Sequence, residues 1–287
     1  MIRFRVVKGS HVLLALAILA LAVVLAIILL QSAAVPDRAA LVPTQTVEAK
    51  VLEAFASADL EDGLKITVIP DPSPTAAPEP AKRILVYHTH THEAYSQLED
   101  DPYPAVETWR TEDTEHSVVR LGSILTQQLT EMGYAVVHDR TDHEQQDINS
   151  SYVRSLETLE GYTEPFDLTI DLHRDAYVES LEACYDDGER EYAQMMMLVG
   201  RGDSYEGEEK PDYEGNLAFA QRLTSAMNAE LPGICRNVTV KKGRYNQHIG
   251  NRAILVEVGH NMNTLPQAIN SIPCLARAID KTLRQNH

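Results

Sequence analysis

From Lys82 onward the chain alternates short apolar, β-branched runs with longer stretches of helical periodicity, and this alternation limits its fold more than any single motif. Strand-like runs cover 83–87, 134–138, 167–172, 194–199 and 252–258. Helical patterns cover 116–132, 148–159, 216–230 and 264–284, with Gly133 and Pro232-Gly233 as stop signals and a break expected at Pro273. Strands separated by helices need crossover connections, which give a mostly parallel sheet covered on both faces. About 200 residues suffice for one such body but fall short of an eight-fold barrel. The expected form is a three-layer α/β domain with a mostly parallel central sheet.

The preceding residues predict one transmembrane helix and a Pro-rich linker. Residues 12–30 are Ala, Leu, Ile and Val without a polar side chain, and about 20 such residues span a bilayer core. Arg3, Arg5 and Lys8 come before the run, which keeps 1–11 cytoplasmic and the rest outside. Ser32, Ala33 and Ala34 leave a cleaved signal peptide as the rival, but the length of the run favours an uncleaved anchor over 12–33. Residues 34–80 read as a stalk, with an amphipathic stretch at 45–64, then an extended spacer holding Pro70, Pro72, Pro74, Pro78 and Pro80. The working part, 81–287, is therefore expected to be extracytoplasmic.

A net charge of -17 offers phosphates no basic face, so nucleic acid is excluded as a partner. Cys184, Cys235 and Cys274 are too few for a disulfide framework and lack C-x-x-C spacing; they read as buried thiols, with at most one bridge.

Chemistry concentrates after the first strand, where His88, His90, His92 and Glu93 fall within six consecutive positions. Imidazole and carboxylate are the usual ligands of a zinc ion that keeps an open site. A His-rich polar loop is the bland alternative. Two more strands end in the same residue types, at Asp171-Leu172-His173-Arg174-Asp175 and at Glu257-Val258-Gly259-His260. Carboxyl ends of parallel strands share one edge, so His90, Glu93 and His173 are expected to converge on one ion. A zinc hydrolase also needs a carboxylate that stays off the metal and takes the water's proton; Glu257 is the candidate. Arg174 or His260 is available to stabilise an oxyanion, against the commoner reading of Arg174 as the ion-pair partner of Asp171 and Asp175.

These segments resemble the stage II sporulation protein P family. The resemblance rests on Tyr87-His88-Thr89-His90-Thr91-His92-Glu93-Ala94-Tyr95, Asp171-Leu172-His173-Arg174-Asp175-Ala176, Val199-Gly200 with Asn216-Leu217-Ala218-Phe219-Ala220, Tyr245-Asn246-Gln247, Leu255-Val256-Glu257-Val258-Gly259 and Asn263-Thr264-Leu265. It implies a zinc N-acetylmuramoyl-L-alanine amidase of peptidoglycan, with endopeptidase action in some members, working in engulfment beside the stage II sporulation proteins D and M. It places the metal ligands on the His88/His90 pair, Glu93 and His173, the base on Glu257, and substrate contacts on Asn246 and Asn263. The amidase class favours His90 as ligand, leaving His88 behind it or facing substrate. His92, where a small hydroxyl residue is expected, is a departure. A metallo-β-lactamase-like site would want Asp where Thr91 stands. A membrane-tethered wall-binding or scaffolding protein of the same fold is the non-enzymatic alternative.

Overall fold

The structure, a computed structural model, describes residues 81–285 apart from 146, 182–183, 205–208 and 251. The expected cytoplasmic segment, membrane anchor, stalk and Pro-rich linker lie outside the described residues. Among the described residues no helix is long and apolar enough to cross a membrane.

Among the described residues, eight strands and four α-helices follow one another as β1 (Arg83–Tyr87), α1 (Val118–Glu131), β2 (Ala135–His138), α2 (Ser151–Glu160), β3 (Leu168–Asp175), β4 (Tyr185–Asp186), β5 (Glu191–Tyr192), β6 (Met195–Gly200), α3 (Tyr213–Glu230), β7 (Thr239–Lys241), β8 (Ala253–His260) and α4 (Leu265–Arg284). Six strands form one sheet in the order β2-β1-β3-β8-β6-β7. β2, β1, β3 and β8 run parallel, while β6 pairs antiparallel to β8 and carries β7 parallel to itself. The mostly parallel sheet is as expected. The reversal at β6 was not legible, because a run buried throughout, as Met195–Gly200 is, looks the same in either direction.

The faces of this sheet are unequally covered. Ile84, Val86, Ile170, Leu172, Val256 and Met197 point to one side, where α1, α4 and α3 lie side by side over the main core. On the other side Leu85 and Tyr87 meet only Leu159 of α2 and Phe166, and Met196, Leu198 and Leu255 meet Tyr245. The three layers are present, but one is thin. Polar groups on strand ends can reach solvent only on the thin side.

Local signals set the helices. Ser117 caps α1 by accepting from the amide of Val119, and Leu121, Leu125 and Leu129 recur at the spacing that buries one face. Thr264 and Gln267 form a reciprocal capping box at the start of α4. Contrary to expectation, α4 runs through Pro273 without ending. Proline inside a helix costs about 3 kcal/mol, yet Ala268, Ile272, Leu275, Ile279 and Leu283 are all buried on both sides of it. Apolar burial worth about 1.5–3 kcal/mol per side chain outweighs that cost. Among the described residues no disulfide joins Cys184, Cys235 and Cys274, and Cys235 and Cys274 are buried.

His88, expected behind His90 or facing substrate, faces the core. It extends the Ile84–Val86 side of β1, is fully buried, and lies under α1 with its Nδ1 2.9 Å from the Leu172 carbonyl and its Nε2 3.0 Å from His138 Nε2. The carbonyl fixes the proton on Nδ1, so His88 Nε2 accepts from His138. A side chain added at Gly122 of α1 would sit 2.5 Å from His138 Nε2 and 2.6 Å from His88 Nε2. Gly122→Ala is accordingly expected to destabilise the domain by about 1–3 kcal/mol, although alanine is the better helix former by about 1 kcal/mol; a denaturant titration reads the loss.

Burial, with His138 beside it, holds His88 down to about 3, and burial with Arg140 holds His138 at about 4. Both lie below the ~6.5 of an unfolded histidine, so acid favours the unfolded chain. Their contribution to stability is complete above about pH 6.5 and is lost as pH falls toward 4. In His138→Gln the fall in unfolding free energy below pH 6 should be shallower than in the parent by up to about 1.4 kcal/mol per pH unit.

Candidate active site

Three strand ends deliver the side chains. β1, β3 and β8 are parallel neighbours, so their carboxyl ends share one edge of the sheet. Along β3 and β8, Asp171, His173 and Glu257 alternate with the core-facing Ile170, Leu172 and Val256, which puts all three on the thin side. Register sets His173 directly beside Glu257.

Asp171 fixes the turn that leaves β1. Its carboxylate accepts from the Thr89 amide at 2.8 Å and the Thr89 hydroxyl at 2.7 Å. The chain then brings His90 to His173, ring centroids 5.4 Å apart, and Glu93 Oε2 to 3.3 Å from His173 Nδ1. His173 Nε2 lies 2.8 Å from Asp171 Oδ1, off the hydrogen-bond line, so this contact is one of charge. Sequence reasoning thus places His90, Glu93, His173 and Glu257 in one cluster, and the structure brings these four together.

Burial opposes charge on His173, but Asp171 and Glu93 on either side outweigh it and hold the imidazole protonated well above its ordinary range. Glu93 stays below the usual carboxylate range in spite of burial, pulled down by His173, Arg174 and His90. Glu257 goes the other way. Burial drives it up to about 8, with the carboxylates of Glu93, Asp175 and Asp171 adding to the effect against the pull of His173, and its Oε2 has no hydrogen-bond partner. A buried acid crowded by other acids and lacking a partner is a candidate for proton transfer.

A carboxylate that sequence reasoning missed orients His90. Glu144 Oε1 lies 2.8 Å from His90 Nδ1, its Oε2 accepts from the His92 amide at 2.8 Å, and Arg110 pairs with it. Despite burial, His90, the His92 amide and Arg110 hold Glu144 down to about 2. It follows β2, whose carboxyl end lies on the same edge as the others; that placement was the available signal. His92 turns to Asp142, with Nε2 2.9 Å from Oδ2, instead of entering the cluster. Tyr152 of α2 was also missed. Its ring packs edge-on against His90 at 5.7 Å, and burial together with Asp171, Glu257 and Glu93 pushes its hydroxyl far above the ordinary phenol.

Other expected site residues serve the scaffold. Arg174 uses its guanidinium on the backbone carbonyls of Ala94 and Trp109, and its amide donates to Glu93 at 3.1 Å, so it holds the loop that carries Glu93. Asn263 accepts from the His260 amide and donates to Gln267, bracing the start of α4. His260 accepts from the Met262 amide beside it. Asn246 ties its own loop to α2, donating to the Tyr152 carbonyl and Ser155 hydroxyl, and lines a cleft beside the cluster.

The donor set suits zinc in kind: two imidazoles and a carboxylate, each imidazole backed by a second carboxylate, Glu144 for His90 and Asp171 for His173. The 3.3 Å between His173 Nδ1 and Glu93 Oε2 is also the ~3.3 Å that separates two ligands on a tetrahedral zinc with bonds of about 2.0–2.1 Å. The third donor is not drawn to that spacing. Among the described residues no group of three or more His, Cys, Asp or Glu side chains is arranged to hold a metal ion.

No curated protein sequence matches the chain. Among solved structures it is similar to N-acetylmuramoyl-L-alanine amidase AmiC2 of Nostoc punctiforme, with 13% identity, a TM-score of 0.44, and coverage of 71% of this chain and 97% of that one. The amidase Ami1 from Mycobacterium abscessus gives 14%, 0.44, 71% and 99% in the same terms. The CwlD amidase from Clostridioides difficile, in complex with the GerS lipoprotein, gives 12%, 0.48, 71% and 100%. The profile of the stage II sporulation protein P family matches residues 44–280. That match takes in every strand end described above, and the chain belongs to the stage II sporulation protein P family.

Proposed function

We propose that the chain is a zinc-dependent peptidoglycan hydrolase, an N-acetylmuramoyl-L-alanine amidase of sporulation whose catalytic body faces outward from a membrane anchored by residues 12–33. The observation that carries this reading is the convergence of His90, Glu93 and His173 beside a buried, partnerless Glu257. Family membership supports the sporulation setting, with peptidoglycan as substrate and the stage II sporulation proteins D and M as partners.

His90, through Nε2, Glu93 and His173, through Nδ1, would hold the ion, because Nδ1 of His90 is committed to Glu144 and Nε2 of His173 faces Asp171. Zinc there supplies Lewis acidity, polarising the carbonyl and acidifying the attacking water. Glu257 takes the proton of that water and returns it to the amide nitrogen as the carbon–nitrogen bond breaks, leaving the muramyl acid and a free L-alanine amino terminus. Glu144 holds His90 in its tautomer through the bond to Nδ1, and Asp171 faces His173 as a counter-charge. Leu255, Met196 and Tyr245 line the apolar floor beside Glu257.

Incubation of the full chain with purified peptidoglycan tests the reading: new L-alanine amino termini are expected, and a chain that binds the wall without releasing them is a tethered binder. Glu257→Gln should keep its metal and lose activity by about 10²–10⁴-fold; near-normal turnover would remove Glu257 as the base. Glu144→Ala should weaken zinc binding by about 10–100-fold, measured by competition with a chromogenic chelator, and unchanged affinity would detach Glu144 from the site.

A further inference from the structure

A cleft of about 550 Å³ opens beside the cluster, between α2 and the loop that follows β7. Tyr152, Val153 and Leu156 form one wall, and Arg244, Tyr245 and Asn246 the other. The second wall is a built one. Tyr245 and Asn246 both hold left-handed backbone, φ 50 and φ 52, a conformation that non-glycine residues keep only where their surroundings enforce it. Here Asn246 is bonded to α2, and Gln247 is bonded to the Leu198 carbonyl and the Gly200 amide. Tyr152 stands between cleft and cluster. Its ring meets Tyr245 edge-on at 5.7 Å on one side and His90 at 5.7 Å on the other, and its hydroxyl has no hydrogen-bond partner among the described residues.

We propose that this cleft seats the peptide arm of the substrate and that Tyr152 donates its hydroxyl hydrogen to the carbonyl of the scissile amide. The inference rests on the amidase reading and names the part of the substrate that the site grips. Aliphatic Val153 and Leu156, with the guanidinium of Arg244 on the opposite wall, match a chain of peptide units bearing methyl groups and carboxylates. The two tyrosine rings meet at 78° and so offer no shared flat platform for a sugar. Ground-state binding falls to the cleft walls, whereas the hydroxyl acts most strongly on the charge that develops on the carbonyl oxygen.

The test uses the full chain with an N-acetylmuramoyl peptide, and two variants whose melting temperatures confirm the fold. Tyr152→Phe should lower kcat by about 100-fold with KM and bound metal unchanged; wild-type kcat overturns the donor role. Val153 is 60% exposed, so Val153→Trp fills the cleft without touching the core. It should raise KM by about tenfold or more at unchanged kcat, and the sugar-free peptide should inhibit the parent but not this variant. An unchanged KM, or inhibition by the sugar in place of the peptide, overturns the assignment. If the parent releases no L-alanine termini, the amidase reading and the donor role fail together. Equilibrium binding of the sugar-free peptide then judges the cleft alone: binding lost in Val153→Trp upholds it, and equal or absent binding rejects it.

Discussion

The buried carboxylate of Asp171 is the constraint on which the rest of the site depends. It is 1% exposed, it holds the backbone and hydroxyl of Thr89, and it faces His173 from two residues away on the same strand. It holds the turn after β1 from the sheet side, with Ser155 and His143 bonded to the same turn, and that turn sets where His90 and Glu93 arrive. Burial works against its charge, yet His173 and the Thr89 donors keep it ionised below the usual carboxylate range. A buried charge with its bonds satisfied on one side and an imidazole on the other cannot shift without leaving one of them unpaired. The pairing therefore specifies position more than it adds stability.

Electrostatic frustration is the second ingredient. Asp171, Glu93 and Glu257 crowd one imidazole, and the burden of that crowding falls on Glu257, which burial and its acidic neighbours push up to about 8. The structure thus separates four groups into roles by environment: two ionised acids, one imidazolium, and one acid near its titration point. The thin layer permits this. Three helices seal the opposite face around an apolar core, and there the buried pair of His88 with His138 is held neutral. Burial of the same depth gives neutrality on one face and charge on the other. The difference is whether a counter-charge lies within reach.

Much of this was legible in the chain because it follows from short-range rules. Period-two alternation put His173 and Glu257 on one face, and the shared carboxyl edge of parallel strands put His90 and Glu93 beside them. The same alternation could have removed His88, since Ile84, Val86 and His88 lie on one side of β1 and the first two are core residues. The run of histidines distracted from that parity. Glu144 and Tyr152 were not legible as partners, because their contacts with His90 cross about fifty and sixty residues of chain and no local pattern announces them. For Arg174 the two readings stayed open for a different reason: a polar residue at a strand end can serve the loop as readily as the substrate, and its contacts with the Ala94 and Trp109 carbonyls appear only in the fold.

The ion pair between Glu93 and His173 bears on how such a site would load. With a proton between them, the pair is satisfied at the spacing that two zinc ligands would keep, so exchange of proton for metal needs little movement of either group. His90 is tethered through its Nδ1 to a carboxylate that Arg110 and the His92 amide also hold. Rotation about that tether changes where Nε2 points while keeping the bond. Loading would then release the His173 proton, as metal binding to protonated ligands must, and would leave Asp171 and Glu144 facing neutral imidazoles in fixed tautomers. The second carboxylates are therefore placed to serve both states, balancing a proton in one and orienting a ligand in the other.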